Sequence, residues 1–262
     1  MIRLPFRQKR ELGQHFLIDE NIVGVAGRLS ELGDEDVVLE IGPGLGVLTS
    51  FLADRVAFVH AVEIDRGLEP HLHQLFGTRK NVSLVFDDAL EVPLADLRPA
   101  PTKLVANLPY SVATPLVAES LDGLPTVQLW CVMVQREVAD RFFAAPGTKS
   151  YGAVSVLVQL TAERIGFHPV SRTVFRPPPN VDSALVAFRR RRAWGPEFPR
   201  LKQIVQGAFA HRRKTLANSL ALAGVSSRGA AEDALPQLGK PRDARAEALA
   251  PEEFLRLGEL LA

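Results

Sequence analysis

The sequence predicts an α/β protein built on a mostly parallel sheet with helices on both faces, followed by a small all-α domain. Three observations indicate this fold. The apolar run Val37–Ile41 leads into a glycine-rich turn and then a helical segment, the order of a nucleotide-binding unit. Further short apolar runs alternate with helical segments, as in sheets whose strands are buried on both faces. Beyond Arg192 the chain changes to short helical segments separated by Gly and Pro.

Length and composition are those of a soluble enzyme with two domains. The 262 residues, 47% of them hydrophobic, suffice for one large domain and one small one, which we place at residues 1–192 and 193–262. No apolar run approaches the roughly twenty residues of a membrane span, and the amino terminus lacks a secretory apolar segment, so we expect a cytoplasmic protein. The single cysteine, Cys131, lies in an apolar run, where a core residue is expected rather than a nucleophile.

The net charge of +1 conceals a basic segment. Between Arg189 and Arg228 there are ten Lys and Arg residues against one acid, Glu197. Such a segment forms either a solvated surface or a surface that faces a polyanion, and here we favour polyanion binding.

The glycine turn has a spacing that argues against a dinucleotide. The fingerprint G-x-G-x-x-G starting at Gly42 would need glycine at Val47, but the glycines fall at Gly42, Gly44 and Gly46. The resulting E-x-G-x-G-x-G pattern is typical of S-adenosylmethionine enzymes, in which the backbone only has to approach the methionine part. A turn kept rich in glycine for tight strand–helix packing would look similar.

Acidic residues follow the next two strands. Glu63 ends the run 56–62, about twenty residues after the first glycine, where nucleoside-binding folds place a ribose carboxylate. The alternative, a helix-capping acid for residues 66–76, fits Asp65 better than Glu63. Asp88, after the run 82–86, is placed to accept from the cofactor's adenine amino group, although it or its neighbour Asp87 also fits a turn.

The segment Lys103–Tyr110 (KLVANLPY) carries the chemistry that we expect of the site. A short strand ends at Asn107-Leu108-Pro109-Tyr110, because proline cannot donate to a sheet and forces an extended turn. The Asn107 side-chain oxygen and the Leu108 carbonyl can together accept both hydrogens of an exocyclic amino group, while Tyr110 stacks on the ring that carries it. The alternative is a plain turn with Tyr110 half buried.

A proline-rich loop between the last two predicted strands, 165–170 and 183–188, is the other candidate substrate element. Its three prolines fix an extended backbone, and Phe175 would suit a clamp on the face of a flipped base opposite Tyr110. The alternative is a stiff connection with Phe175 in the core.

The motifs resemble those of the ribosomal RNA adenine dimethyltransferases of the small subunit. Asn-Leu-Pro-Tyr is one form of the [ND]-P-P-[YF] signature of enzymes that methylate exocyclic amino nitrogens. The segments occur in the family's order, and they are GQHFL (13–17), EIGPGLG (40–46), EID (63–65), DAL (88–90), NLPY (107–110), FRPPPNVDSA (175–184) and HRRKTLANSL (211–220). The resemblance implies a Rossmann-like class I methyltransferase fold and dimethylation of N6 on two adjacent adenosines in the 3′-terminal hairpin loop of 16S ribosomal RNA, during subunit maturation.

The resemblance also implies roles for residues at matching positions. His15 and Leu17 cover the S-adenosylmethionine cofactor, although the family more often has Asn at the His15 position. Asp88, rather than Asp87, contacts the adenine. Arg212, Arg213 and Lys214 bind RNA phosphates, and we place a helix at Lys214–Ala223. The expected partner is immature small-subunit RNA, and we expect a monomer. We expect no metal ion, because His71 and His73 are the only histidines close in sequence and their spacing does not place both on one face of a helix.

Two other functions are compatible with the sequence. The macrolide-resistance methyltransferases of large-subunit RNA share the fold and much of the amino half, but Leu108 and the HRRKTLANSL segment favour the small-subunit group. A non-catalytic RNA-binding assembly factor with the same fold would not need an intact NLPY or glycine turn.

Overall fold

The structure is a computed structural model that describes residues 14–261. Gly13, the first residue of the GQHFL segment, lies outside the described residues. The chain forms two compact units, the first extending to Ala139 and including Arg164–Arg190, the second comprising Asp140–Glu163 and the chain from Arg191 onward. The division therefore differs from the predicted boundary after residue 192, because residues 140–163 belong with the carboxyl-terminal helices rather than with the sheet.

The first unit is built on a seven-stranded sheet with the order β4-β3-β2-β5-β6-β9-β7, accompanied by a separate two-stranded sheet of β1 and β8. The strands are β1 Phe16–Leu17, β2 Val37–Ile41, β3 Phe58–Val62, β4 Val82–Val85, β5 Lys103–Asn107, β6 Leu129–Gln135, β7 Ala162–Val170, β8 Phe175–Arg176 and β9 Ser183–Arg190. The helices of the whole chain are α1 Glu20–Leu29, α2 Val47–Ala53, α3 Glu69–Phe76, α4 Ala113–Gly123, α5 Arg136–Phe142, α6 Ala153–Thr161, α7 Phe198–Ala210, α8 Leu216–Leu222, α9 Arg228–Gln237 and α10 Pro251–Leu260.

Most of the sheet is parallel, as predicted. Neighbouring strands from β4 to β6 pair in parallel, and β9 runs antiparallel to β6. The chain builds β2, β3 and β4 outward in one direction and then returns to place β5 on the other side of β2. The carboxyl ends of β2 and β5 therefore meet at the point where the strand order reverses, which is where open α/β sheets bind ligands.

The core lies against the sheet and contains the single cysteine. All five residues of β2 are buried, as expected for a strand covered on both faces. Cys131 is fully buried in β6 within the cluster that also holds Val38, Leu52 and Val105. Burial raises the pKa of the Cys131 thiol to about 12. The prediction of a core residue is confirmed.

Acidic side chains cap the starts of two helical segments, one of them the predicted cap Asp65. The Asp19 carboxylate accepts from the backbone N–H of Asn21 and of Ile22 and caps α1. Asp65 accepts from the N–H of Gly67, but the segment that follows is a 3₁₀ turn at Arg66–Leu68 before α3 begins. The predicted single helix over residues 66–76 is therefore two elements.

The strands β1 and β8 were not predicted, because two residues carry no periodicity. They pair antiparallel, with Phe16 opposite Arg176 and Leu17 opposite Phe175. The pairing places Phe16 and Leu17 beside the proline-rich loop.

The second unit is helical. Helix α7 packs on α8 and α10, α8 on α9, and α10 on α6. Thr215 caps α8 by accepting from the N–H of Asn218, so the prediction that this helix includes Lys214 is wrong. Of the helices in the described part of the chain, none is long and apolar enough to cross a membrane.

Candidate active site

A cavity lies at the carboxyl ends of β2 and β5 in the first unit. It has an empty volume of about 690 Å³, including part that opens to solvent. Its wall brings together four segments that the sequence analysis had singled out separately, namely residues 14–17, the glycine turn, Glu63 with Ile64, and Asn107–Tyr110. The cavity has the position of a cofactor and substrate site in an open α/β sheet.

The glycine turn forms one wall of this cavity. Gly42 and Gly44 have φ angles of +74° and +56°, which residues with a side chain rarely adopt. A Cβ at Gly44 would come within 2.9 Å of the Phe16 ring. Glycine at this position is thus required both by the backbone conformation and by the close approach of β1, and it leaves the backbone uncovered for a ligand.

Glu63 is almost completely buried at the end of β3. Its Oε2 accepts from the Gly44 N–H at 3.1 Å, and its Oε1 accepts from the Asp65 N–H at 2.9 Å. Burial raises the pKa of Glu63, while these backbone donors oppose the shift. Each carboxylate oxygen keeps a further lone pair for a ligand hydroxyl. The structure also separates the two acids as the sequence suggested, since Asp65 does the capping.

Asn107 lies on the cavity wall where β5 ends. Its Nδ2 donates to the His15 carbonyl at 3.2 Å. This bond fixes which end of the amide faces His15 and leaves Oδ1 as the acceptor. No donor within the described residues is bonded to that oxygen.

The remaining residues of the NLPY turn hold the backbone and the aromatic ring in place. The Leu108 N–H donates to the Met133 carbonyl at 3.0 Å, while the Leu108 side chain is buried. The Pro109 ring lies beside Gly42. The Tyr110 hydroxyl is 2.5 Å from that of Ser183, and burial raises the pKa of the Tyr110 phenol. Tyr110 is half buried and lines the cavity, anchored through its hydroxyl.

The segment 14–17 closes the site from the side of β1. His15 Nδ1 is 2.8 Å from the Pro177 carbonyl, and its ring centroid is 5.6 Å from that of Tyr110. Gln14 Nε2 donates to Asp65 Oδ2 at 2.8 Å. Leu17 is buried and lies on the cavity wall. His15 and Leu17 are thus brought to the cavity as predicted, and both the backbone carbonyl and the ring of His15 have defined partners.

Two predicted site residues are not on the cavity wall. Phe175 is 1% exposed and belongs to the hydrophobic core. The prediction that it clamps a base is therefore wrong, and the alternative of a core residue is the one observed. Its pairing with Leu17 across β1 and β8 explains this position, because the ring enters the core beneath the two-stranded sheet. Asp88 does not line the cavity either, and its Oδ1 accepts from the Leu90 N–H at 2.9 Å, as a turn residue does.

Sequence reasoning missed two residues that support the site. Gln14 links the segment 14–17 to Asp65, and Ser183 anchors Tyr110. Both belong to quoted motifs, but nothing in their spacing identifies the partner. Glu40, the first residue of the E-x-G-x-G-x-G pattern, lies fully buried two residues before Gly42 and does not line the cavity.

The predicted RNA-binding residues of the second unit are exposed in the turn between α7 and α8. Arg212 donates to the backbone carbonyls of Lys149 and Tyr151, both at 3.0 Å. Arg213 and Lys214 are exposed beside it. Arg212 therefore also has a role in holding this unit together.

The cavity residues suit a nucleoside joined to an amino acid. An uncovered glycine backbone, a buried carboxylate at Glu63 and an amide acceptor at Asn107 surround one space, which matches the donors and acceptors of S-adenosylmethionine. Across residues 14–261, no group of three or more His, Cys, Asp or Glu is arranged to hold a metal ion.

Comparison with known proteins gives consistent results. The family model described as ribosomal RNA adenine dimethylase matches residues 5–262. The chain is 47% identical over 251 residues to the ribosomal RNA small subunit methyltransferase A of Rubrobacter xylanophilus, covering 96% of this chain and 94% of the relative. The 23S ribosomal RNA methyltransferase ErmE is similar with a TM-score of 0.65 and 30% identity, covering 94% of this chain and 99% of that one. A dimethyladenosine transferase from Plasmodium falciparum shares the fold with a TM-score of 0.77 at 24% identity, covering 93% and 96% of the two chains.

Proposed function

Since the chain belongs to the ribosomal RNA adenine dimethylase family, we propose that it uses S-adenosylmethionine to dimethylate N6 of two adjacent adenosines in the 3′-terminal hairpin loop of small-subunit ribosomal RNA. The observation that carries the chemistry is the orientation of Asn107. Its amide nitrogen is committed to the His15 carbonyl, so its oxygen is the group left to accept from a substrate amino group.

The main requirement for catalysis is the correct orientation of the nucleophile. When bound, S-adenosylmethionine supplies a methyl group that the positive charge on sulfur already activates. The lone pair of adenine N6 is delocalised into the ring, which makes this nitrogen a poor nucleophile. Asn107 Oδ1 and the Leu108 carbonyl accept the two N6 hydrogens and turn the lone pair out of the ring plane. The methylated nitrogen readily loses its proton to water, so the step needs no general base with a shifted pKa.

Tyr110 supports the base by stacking. Its hydroxyl is held by Ser183, which limits rotation of the ring and keeps one orientation toward the cavity. Phe175 has no part in this step because its ring is in the core.

The cofactor is held by residues of the glycine turn and of the neighbouring strand ends. Glu63 accepts from the ribose hydroxyls, Gly42 and Gly44 provide backbone approach, and His15 and Leu17 cover the site. Asp88 is assigned to the adenine amino group on the family pattern, and its Oδ2 is the oxygen that the Leu90 turn does not use.

RNA is held through its phosphates by the exposed Arg213 and Lys214, with Arg212 beside them. Such contacts fix the register and orientation of the RNA without reading its bases, and so determine which adenine reaches Tyr110.

The experiment that tests the function is incubation of the protein with methyl-labelled S-adenosylmethionine and immature small subunits. Nucleoside mass analysis should then detect labelled N6,N6-dimethyladenosine, and mapping of the RNA should place it in the 3′-terminal hairpin. Large-subunit RNA is the matched control substrate, because its methylation instead would favour the macrolide-resistance type. Binding of RNA without any methyl transfer would favour an assembly factor.

A further inference from the structure

Glu40 is a buried acid that the proposed chemistry leaves without a role. It is 1% exposed, on β2, two residues before the glycine turn. Its Oε2 has no hydrogen-bond partner, and neither does the hydroxyl of Thr49, which is also completely buried. An unpartnered carboxyl oxygen at such a depth is costly unless the group is neutral or a ligand compensates for it.

The surroundings of Glu40 favour its neutral form. Burial raises the pKa of Glu40 to about 8, and the negative charge of Glu63 at the end of β3 adds to this shift. The Thr49 hydroxyl on α2 opposes the shift, although the geometry between the two side chains falls short of a hydrogen bond. On β3 the residue paired with Glu40 is the apolar Ala61.

Glu63 is therefore the charged group that acts on Glu40 within the described residues, and no Lys, Arg or His there compensates for it. The two acids differ in how their negative charge is stabilised, because Glu63 accepts hydrogen bonds from two backbone N–H groups while Glu40 Oε2 accepts none. In the free protein the negative charge of this pair belongs to Glu63, and Glu40 keeps its proton.

We propose that Glu40 is a positioning residue that gives up its proton to solvent when a cationic cofactor enters the cavity, and so supplies the second negative charge of a buried acid pair. The inference rests on the proposed use of S-adenosylmethionine. This cofactor carries a net charge of +1, whereas the product S-adenosylhomocysteine carries none because it lacks the sulfonium.

A proton exchange of this kind would help the enzyme to distinguish cofactor from product. Entry of the cation favours ionisation of Glu40, and the ionised pair in turn attracts the cation in a region of low dielectric. Loss of the methyl group removes the positive charge, so Glu40 takes up a proton again and the product is held less tightly.

The test is calorimetric titration of the full-length protein with S-adenosylmethionine at about pH 7 in two buffers of different ionisation enthalpy, which counts the protons released. We expect between about half a proton and one proton per cofactor bound in the wild type, and close to none in Glu40→Gln. S-Adenosylhomocysteine is the matched control ligand, since it has the same nucleoside and amino-acid groups, and it should release clearly less.

A second measurement needs no variant. In the wild type, the ratio of the Kd for S-adenosylhomocysteine to the Kd for S-adenosylmethionine should rise by up to about tenfold per pH unit between about pH 6 and 8. A constant ratio, or equal proton release by the wild type and Glu40→Gln, overturns the role of Glu40 and leaves the proposed methyl transfer intact. Failure of the wild type to bind S-adenosylmethionine at all contradicts the proposed function itself.

Discussion

At the scale of single residues, the site depends on polar side chains that the backbone holds in one orientation. Asn107 donates to the His15 carbonyl, and Glu63 accepts from the N–H groups of Gly44 and Asp65. Because each of these side chains is already hydrogen-bonded to the backbone, its orientation is fixed and its remaining oxygen lone pairs face the cavity. A short side chain at either position would lose both the internal bond and the proposed contact with ligand.

The first residue prediction concerns the acceptor at Asn107. Asn107→Ala should lower kcat by about 10²- to 10³-fold, the effect of removing one oriented polar group at a reacting centre. The Kd for S-adenosylmethionine should change far less, since most of the cofactor contacts lie elsewhere. Single-turnover methylation and calorimetry measure the two quantities separately. Ser111→Ala, at an exposed position next to the turn, is the control and should leave both near wild type. Unchanged turnover in Asn107→Ala would refute the acceptor role.

The second residue prediction concerns the protonation of Glu40 in the free protein. The folded pKa of about 8 lies above the ordinary value of 4.5, so the folded state holds the proton more tightly than the unfolded state between these values. The contribution of Glu40 to stability is therefore full below about pH 4.5 and is lost as the pH rises toward 8. Glu40→Gln cannot ionise at this position and does not show this loss. The free energy of unfolding of Glu40→Gln, relative to that of the wild type, should therefore rise by about 3 kcal/mol between about pH 5 and pH 8.

Urea unfolding at the two pH values measures this difference. Glu91→Gln, at an exposed position, is the control and should show no comparable change with pH. A Glu40→Gln effect that is the same at both pH values would mean that Glu40 is ionised in the free protein.

At the scale of elements, the cavity is produced by the meeting of turns and strand ends rather than by any one of them. The glycine turn after β2 approaches Phe16 of β1 so closely that a Cβ at Gly44 would lie 2.9 Å from the ring. The β1–β8 pair in turn fixes the covering segment beside the proline loop. A substitution in the glycine turn should therefore disturb both the segment 14–17 and cofactor binding.

Gly44→Ala tests this coupling. The positive φ and the contact with Phe16 should together cost about 1–2 kcal/mol of stability and weaken binding of S-adenosylmethionine at least about tenfold. Thermal unfolding and calorimetry provide the two measurements. Gly123→Ala, in α4 with no atom within 4 Å of the added Cβ, is the matched control. It should be neutral or slightly stabilising, because Ala favours a helix more than Gly does. Equal cofactor affinity in both variants would show that the turn tolerates a side chain.

At the scale of the whole molecule, chemistry and RNA binding are assigned to different units. The cavity and its wall belong to the unit with the sheet, whereas the exposed basic turn between α7 and α8 belongs to the helical unit. A net charge of only +1 gives no sign of this division, because the excess of basic residues between Arg189 and Arg228 is offset by an excess of acids in the rest of the chain.

The prediction at this scale concerns the salt dependence of RNA binding. Neutralising Arg212, Arg213 and Lys214 together should weaken RNA binding and reduce the slope of log K against log salt by roughly two to three units. Because Arg212 also bonds to two backbone carbonyls, the double variant Arg213→Gln/Lys214→Gln separates the electrostatic effect from a loss of structure. Its slope should fall by about one to two units without a change in thermal stability.

Arg242→Gln/Arg256→Gln is the matched control for loss of two charges. Both arginines are exposed and are paired with acids, Asp233 and Glu259 respectively. Its salt slope should remain that of the wild type. A slope unchanged in the Arg213 and Lys214 variant would remove these residues from the RNA-binding surface.

The sequence by itself determined the parallel sheet, the place of the glycine turn, and the positions of Asn107 and Glu63 at the ends of their strands, because each depends on local order along the chain. An apolar strand followed by glycines, and a strand stopped by proline, have few alternative conformations. Element boundaries were less certain, as with the 3₁₀ turn before α3 and the start of α8 after Thr215.

Only the tertiary structure decided what each side chain contacts. It placed Phe175 in the core instead of opposite Tyr110, grouped residues 140–163 with the carboxyl-terminal helices, and left Glu40 buried without a partner for one oxygen. The physical reason is that burial and pairing depend on residues distant in sequence, such as Leu17 for Phe175 and Glu63 for Glu40. Periodicity and turn chemistry report on neighbours along the chain and carry no information about those partners.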